Sequence, residues 1–358
     1  MWDRWGRMRR SRRKRAVGAT RAALCVLAAL VWASPAFAFR LIGAPGSWSR
    51  WDAAPRTVNG VERSLDGGLR YSIEHGDYGL LRDEFLWLGT PPSDQAFADA
   101  IARAFEYWEV VDPATGLPAA FHFVEDLSTP AVDQAPNNPN NPNAYLGLNA
   151  GAEIDIFAET PHAGPGFGAS VIFFVDTTQD DLTLTSGTQS YAGRAISGAD
   201  IRMNPAFVYT LRFFETLLTH EIGHALGLAD LEVTPLASNV SGFLDDDYDP
   251  STSTSVLATT SNSFALLIDP ADPDATPLLS FDGNMNTDPG IDTPGVSILM
   301  ESDDWPELQF AEPKLQNDDF AGRQFLYPVP EPGAGAMLLV GVGALSLLVR
   351  LRTSETQP

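Results

Sequence analysis

The chain has 358 residues, 44% of them apolar, which allows one sizeable core and a small second module. It carries 46 acidic against 23 basic residues, a formal net charge of −23. Such a surface repels nucleic acid and anionic lipid and excludes both as partners; it suits bound calcium or a saline medium, or simply a solvated acidic face that keeps the protein soluble.

The N-terminus reads as an export signal. Arg9, Arg10, Arg12, Arg13, Lys14 and Arg15 precede an apolar run from Ala22 to Trp32, and Ala36-Phe37-Ala38 supplies the small-x-small pattern of a signal-peptidase site. Residues 1–38 are therefore expected to be a signal peptide, with the mature chain starting near Phe39. The alternatives are an uncut membrane anchor, for which the run is short, and a twin-arginine signal at Arg12-Arg13. Removing residues 1–38 takes away nine basic residues and one acid, which leaves 14 against 45, a net charge of −31. The only cysteine, Cys25, goes with them. The mature chain then has no disulfide, no thiolate metal ligand and no cysteine switch for latency. Residues 39–59 form a short N-terminal segment, the only length available as a prosegment, and residues 60–328 are expected to be one catalytic domain.

Within that domain Leu69–Ile73 alternates like a strand. Gln95–Val110 reads as a helix, because Phe97, Ile101, Phe105 and Trp108 make one apolar stripe, with Pro91-Pro92-Ser93 where it should begin and Asp112-Pro113 where it should end. Phe121–Val124, Ile154–Phe157, Val171–Val175 and Ile196–Met203 read as further strands, and Pro136–Pro142 as a loop. A second helix is expected from about Ala206 to Leu226, with Phe214, Leu217, Leu218, Ile222 and Ala225 turned to the core. Strands with one helix among them, then a second helix, suggest an α+β domain with a twisted, mostly parallel sheet.

The second helix ends in His220-Glu221-Ile222-Gly223-His224-Ala225-Leu226-Gly227-Leu228-Ala229-Asp230. Residues four apart share a helical face, so both imidazoles can reach one zinc ion. Glu221 projects beside the metal as a general base. Zinc brings the pKa of a bound water close to neutrality, Glu221 takes its proton, and the proton passes to a leaving amine. A catalytic zinc needs a third protein ligand and an open position. Gly227 can leave the helix with positive φ, and three residues on Asp230 can bring in its carboxylate. His75, His122 and His162 are the alternative third ligands, each more simply a surface or core histidine. A bare helix with two solvated histidines and a glycine cap is the structural alternative to any metal site.

The segment His220–Asp230 resembles the metzincin signature HExxHxxGxxH, with aspartate in the third ligand position. Ser297-Ile298-Leu299-Met300 resembles the Met-turn of matrixin-like peptidases, and Phe320–Tyr327 their final helix. The resemblance runs in outline over residues 60–328, with only the zinc motif and the Met-turn specific. It implies a zincin fold with an active-site helix, a catalytic Zn²⁺, Met300 as an apolar floor beneath the metal, and a protein or peptide substrate lying along an edge strand, for which Gly168–Asp176 is in the right order. Departures are the aspartate itself, Glu301-Ser302 after Met300 where a tyrosine and proline are usual, and a long insertion at 231–296. The insertion holds Asp245, Asp246, Asp247 and Asp249, then Asp282, Asn284, Asn286 and Asp288. The second group begins like a calcium loop, but Thr287 stands where glycine belongs and Thr293 where a bidentate glutamate belongs. Ca²⁺ or a solvated loop are both open.

Val329-Pro330-Glu331-Pro332 precedes a 17-residue apolar run, Gly333–Val349, then Arg350 and Arg352. The run is at the short limit for a membrane span, and the arginines after it place the bulk of the protein outside. Residues 329–352 resemble the PEP-CTERM sorting signal of Gram-negative bacteria, with 353–358 as a tail; a plain C-terminal anchor is the alternative. The resemblance implies processing by an exosortase, and the expected location is the cell envelope, surface or extracellular matrix. A zinc-dependent endopeptidase is the function these features favour. The other readings are an anchored matrix or adhesion protein with a structural zinc site, and an HExxH hydrolase of another clan.

Overall fold

A computed structural model describes residues 40–44, 47–113, 116–133, 150–161, 164–178, 181–187, 193–230, 299–300, 313, 315 and 317–329. The expected signal peptide at residues 1–38, the 231–296 insertion with its calcium-like sequence, His162 and the apolar run 333–349 lie outside the described residues. No described helix is long and apolar enough to cross a membrane.

The architecture is α+β. The main strands are β1 (Ser47–Arg50), β2 (Leu69–Ile73), β3 (Phe123–Glu125), β4 (Ile154–Ala158), β5 (Ala169–Val175) and β6 (Arg194–Met203); the helices are α1 (Asp94–Glu109), α2 (Leu211–Leu226) and α3 (Asn317–Leu326). They make a seven-stranded sheet in the order 43–44, β1, β6, β4, β2, β3, with β5 also paired to β6. The β1–β6, β6–β4, β4–β2 and β2–β3 pairs are parallel, and β5 runs antiparallel to β6. Among the described residues β5 has a strand partner on one side only. Nine of the ten residues of β6 are buried, as expected for a central strand covered on both faces.

The two long helices pack on this sheet and on each other. In α1 the buried positions are Phe97, Ala100, Ile101, Ala104, Phe105 and Trp108, the stripe expected from the spacing. Ser93 caps its first turn by accepting from the Ala96 N–H, and Arg323 of α3 donates to the Trp108 and Val110 carbonyls at its other end. Trp108 Nε1–H donates to Thr219 O at 2.8 Å, and Arg103 makes a two-pronged pair with the buried Glu215, so α1 is pinned to α2 at two heights.

Two expectations are corrected. Helix α2 begins at Leu211, not near Ala206. Thr210 is the N-cap, and Val208–Tyr209 pair in parallel with Leu86–Trp87. An aromatic and β-branched run ahead of the cap is extended because a partner strand is there to take it. The second concerns residues 39–59, expected to stand apart from the domain. Residues 40–44 and 47–58 are part of it: β1 joins β6, Leu41, Trp48 and Trp51 are buried in the core, and Arg40–Leu41 pair with Leu228–Ala229. A segment carrying that much apolar side chain is most stable inside the fold.

Candidate metal centre

Helix α2 carries His220, Glu221 and His224 out of the core. Thirteen of its sixteen residues are buried, so the helix has no freedom to roll and its ligand face is set by packing. Gly227 ends it in the left-handed region at φ 106°, with its N–H donating to His224 O at 2.9 Å. A side chain at 227 would also collide with the Ser49 carbonyl. Glycine is required there on both counts.

The chain then doubles back, and Asp230 meets both histidines. Its Oδ1 lies 3.0 Å from His220 Nε2 and 3.0 Å from His224 Nε2. The three ligand atoms fall within 4.8 Å of one another, and this is the one such group of three among the described residues. Two ligands bound tetrahedrally to zinc at about 2.0–2.1 Å are about 3.3 Å apart, so the two Asp230 contacts need to lengthen only slightly to take the ion. The imidazoles stand nearly perpendicular, 89° between planes.

Each imidazole is oriented by a backbone carbonyl on its other nitrogen: Leu299 O at 2.6 Å from His220 Nδ1, and Leu228 O at 2.9 Å from His224 Nδ1. A donor bond from Nδ1 makes Nε2, the nitrogen that faces Asp230, the one that would ligate a metal once its proton is lost. Met300 follows Leu299 and packs on α2 between the two histidines. A Cβ at Gly223 would strike Met300 Sδ and come within 2.7 Å of Trp108 Cζ2. The turn is held from below by Asp319 in the first turn of α3, which accepts from the N–H groups of Leu299 and Met300 at 3.2 Å each.

Electrostatics follow from burial. Burial alone would lower the pKa of His224, but the Asp230 carboxylate outweighs it and raises the pKa to about 9. Asp230, although burial pushes the other way, is held far below the usual carboxylate range by the two histidines. Burial raises Glu221, against the pull of His224 and His220. Glu221 is 4% exposed, and its Oε2 is buried without a hydrogen-bond partner among the described residues. A buried carboxylate oxygen in that state is costly unless water or an ion completes it. A divalent cation of borderline softness beside a His₂Asp set, with a water on its open side, satisfies both needs, so the donor set fits zinc.

The structure thus brings together His220, Glu221, His224, Asp230 and Met300. It leaves His75 near the carboxylates of Glu74 and Glu84 and His122 exposed by Gly68, neither with Asp230. Sequence reasoning missed Asp319 and the carbonyls of Leu228 and Leu299. Asp319 had a signal, an acidic residue just before the expected final helix Phe320–Tyr327, but nothing local to say which amides it would meet; carbonyls have no residue signature at all. No family model matches the chain, and no curated protein or solved structure matches it.

Proposed function

We propose that the protein is a zinc-dependent endopeptidase of metzincin-like, matrixin-like fold, with His220, His224 and Asp230 holding the metal and Glu221 as general base. The observation that carries this is the convergence of three ligand atoms of suitable chemistry beside a buried glutamate oxygen that has no hydrogen-bond partner among the described residues. A structural zinc site has no use for such a base. Zinc in that cluster supplies Lewis-acid activation of water and of a substrate carbonyl. Glu221 accepts a proton from the attacking water, the water oxygen bonds to the carbonyl carbon, the carbon–nitrogen bond breaks, and Glu221 returns the proton to the departing amine. Burial of Glu221 favours its protonated form, which suits the second half of that transfer. Met300 floors the site through its contact with the Gly223 turn. The edge strand β5 is where the resemblance to metzincins puts an extended protein or peptide substrate.

The same proposal takes the protein outside the cytoplasm. Residues 1–38 direct export and are removed by signal peptidase. Residues 329–352 act as a PEP-CTERM signal read by an exosortase-type enzyme, with the surface or extracellular matrix of a Gram-negative bacterium as destination. Ca²⁺ in the 231–296 insertion is a secondary element of this reading.

Zinc stoichiometry, with peptide-library cleavage by wild type and Glu221→Ala with and without chelator, tests the function. One zinc per chain and chelator-sensitive cleavage lost in Glu221→Ala is the expected result. Bound zinc with no cleavage by either protein gives the site to a structural role, and no bound zinc removes the proposal.

A further inference from the structure

The turn that delivers Asp230 has its own fastening, made by the short N-terminal segment. Arg40 and Leu41 pair antiparallel with Ala229 and Leu228, the residues just before Asp230. Ile42 N–H donates to Gly227 O at 2.9 Å. The Ser49 carbonyl sits against Gly227 so closely that only a glycine fits. Trp51 Nε1–H donates to Ala225 O at 3.0 Å, and its backbone N–H donates to the Tyr327 hydroxyl, which itself donates to Leu226 O. Residues 225–229 are therefore each touched either by residues 40–44 and 47–51 or by the tyrosine that Trp51 positions.

We propose that residues 40–44 and 47–51 are a strap that positions the metal site from outside: they hold Asp230 at bonding distance from the two histidines, and hold the Leu228 carbonyl that orients His224. This rests on reading the cluster as a zinc site. The physical need is plain. Helix packing fixes His220 and His224, but Asp230 lies beyond the helix, directly after the two-residue strand Leu228–Ala229, whose partner among the described residues is Arg40–Leu41. A carboxylate on an untethered turn samples many positions, and ordering it would be charged against metal affinity. The strap does that ordering during folding. It follows that the strap is part of the mature active form, and that a prosegment cut at about residue 59 would disable the protein.

The test is zinc affinity of the full exported chain, measured by competition with a chromophoric chelator, in Leu41→Ala, which loosens the pairing, and Ile42→Pro, which removes the N–H given to Gly227. The control is Asp52→Asn, at the far end of the segment, where the carboxylate accepts from Thr183 N–H and pairs with Arg56; it should lower the melting temperature and leave zinc affinity unchanged. Leu41→Ala and Ile42→Pro should weaken zinc binding about 10- to 100-fold, as loss of an outer-shell support does. Both should change the visible spectrum of the cobalt-substituted protein, and both should weaken binding by less in an Asp230→Ala background, where only the orientation of His224 is left to lose. Melting of the metal-free variants identifies those that fold, and Leu41→Ala carries the test if the proline does not. Unchanged affinity in a folded strap variant, or an equal loss in the Asp230→Ala background, overturns the strap while leaving the zinc site intact. A wild-type chain that binds no zinc overturns the underlying reading instead.

Discussion

His220, Glu221 and His224 ride on one helix buried along nearly its whole length, whereas Asp230, Leu299 and Met300 reach the same place on irregular backbone held by other parts of the chain. The helix half is positioned by a large apolar contact: Phe214, Leu218 and Ile222 are fully buried, and Trp108 ties the turn before His220 to α1. The loop half is positioned by a few polar contacts, chiefly Asp319 under the Met300 turn and the paired strands 40–41 and 228–229. Apolar packing is spread over many atoms and tolerates losing one contact; a polar tether does not. The two halves should therefore fail differently.

The largest effect should come from the chemistry of the helix half. Glu221→Ala should lower peptide cleavage about 10²–10⁴-fold with zinc still bound, read as kcat/KM beside metal analysis. Next is the loop half: Asp230→Ala should weaken zinc binding by more than about 100-fold, beyond the range of an outer-shell loss, and should also lower metal-free stability, because the buried imidazoles lose their carboxylate partner. An unaltered zinc affinity would transfer the third-ligand role elsewhere and end the comparison.

Where the halves touch, Gly223→Ala should cost about 1–3 kcal/mol in chemical denaturation, because its Cβ enters the space of Met300 Sδ and Trp108. Asp319→Ala should cost about 1–3 kcal/mol by stranding two buried N–H groups, and should also weaken zinc through the Leu299 carbonyl. Asp155, remote from the site in β4, makes a smaller, pH-dependent control. Burial raises its carboxyl to about 7, although Val132 and Ala152 N–H groups donate to it. The native state then holds a proton that the unfolded state releases near pH 4, so this contribution to stability falls as pH rises from about 4 to 7 and is level above. Asp155→Asn should remove that slope, at most about 1.4 kcal/mol per pH unit, in urea midpoints taken across the range.

Much of the fold is legible from side-chain period. The stripe Phe97-Ile101-Phe105-Trp108 marks α1, Pro91-Pro92-Ser93 marks its start, and β2, β4, β5 and β6 stand where short apolar runs place them, to within two residues. The misplaced start of α2 has a clear cause. Phe207-Val208-Tyr209 continues the apolar content of the helix, and only the distant Leu86–Trp87 makes it a strand. Residues 39–59 misled for a related reason: Trp48 and Trp51 are apolar without periodicity, so nothing local says that they complete the core.

By itself the sequence determines what is local. Positions 220, 221 and 224 share a helical face because of the helix repeat, and Gly227 must stop that helix because no other residue takes its backbone angle so readily. The tertiary structure decides everything that closes the site: that Asp230 meets both histidines, that Leu299 and Met300 lie under α2, and that residues 40–44 and 47–51 clamp the turn between. Those contacts join residues up to about 280 positions apart in the chain, Arg50 with Leu326 among them. No local propensity encodes such a meeting; it follows from burying the core once, with every strand and tether in place.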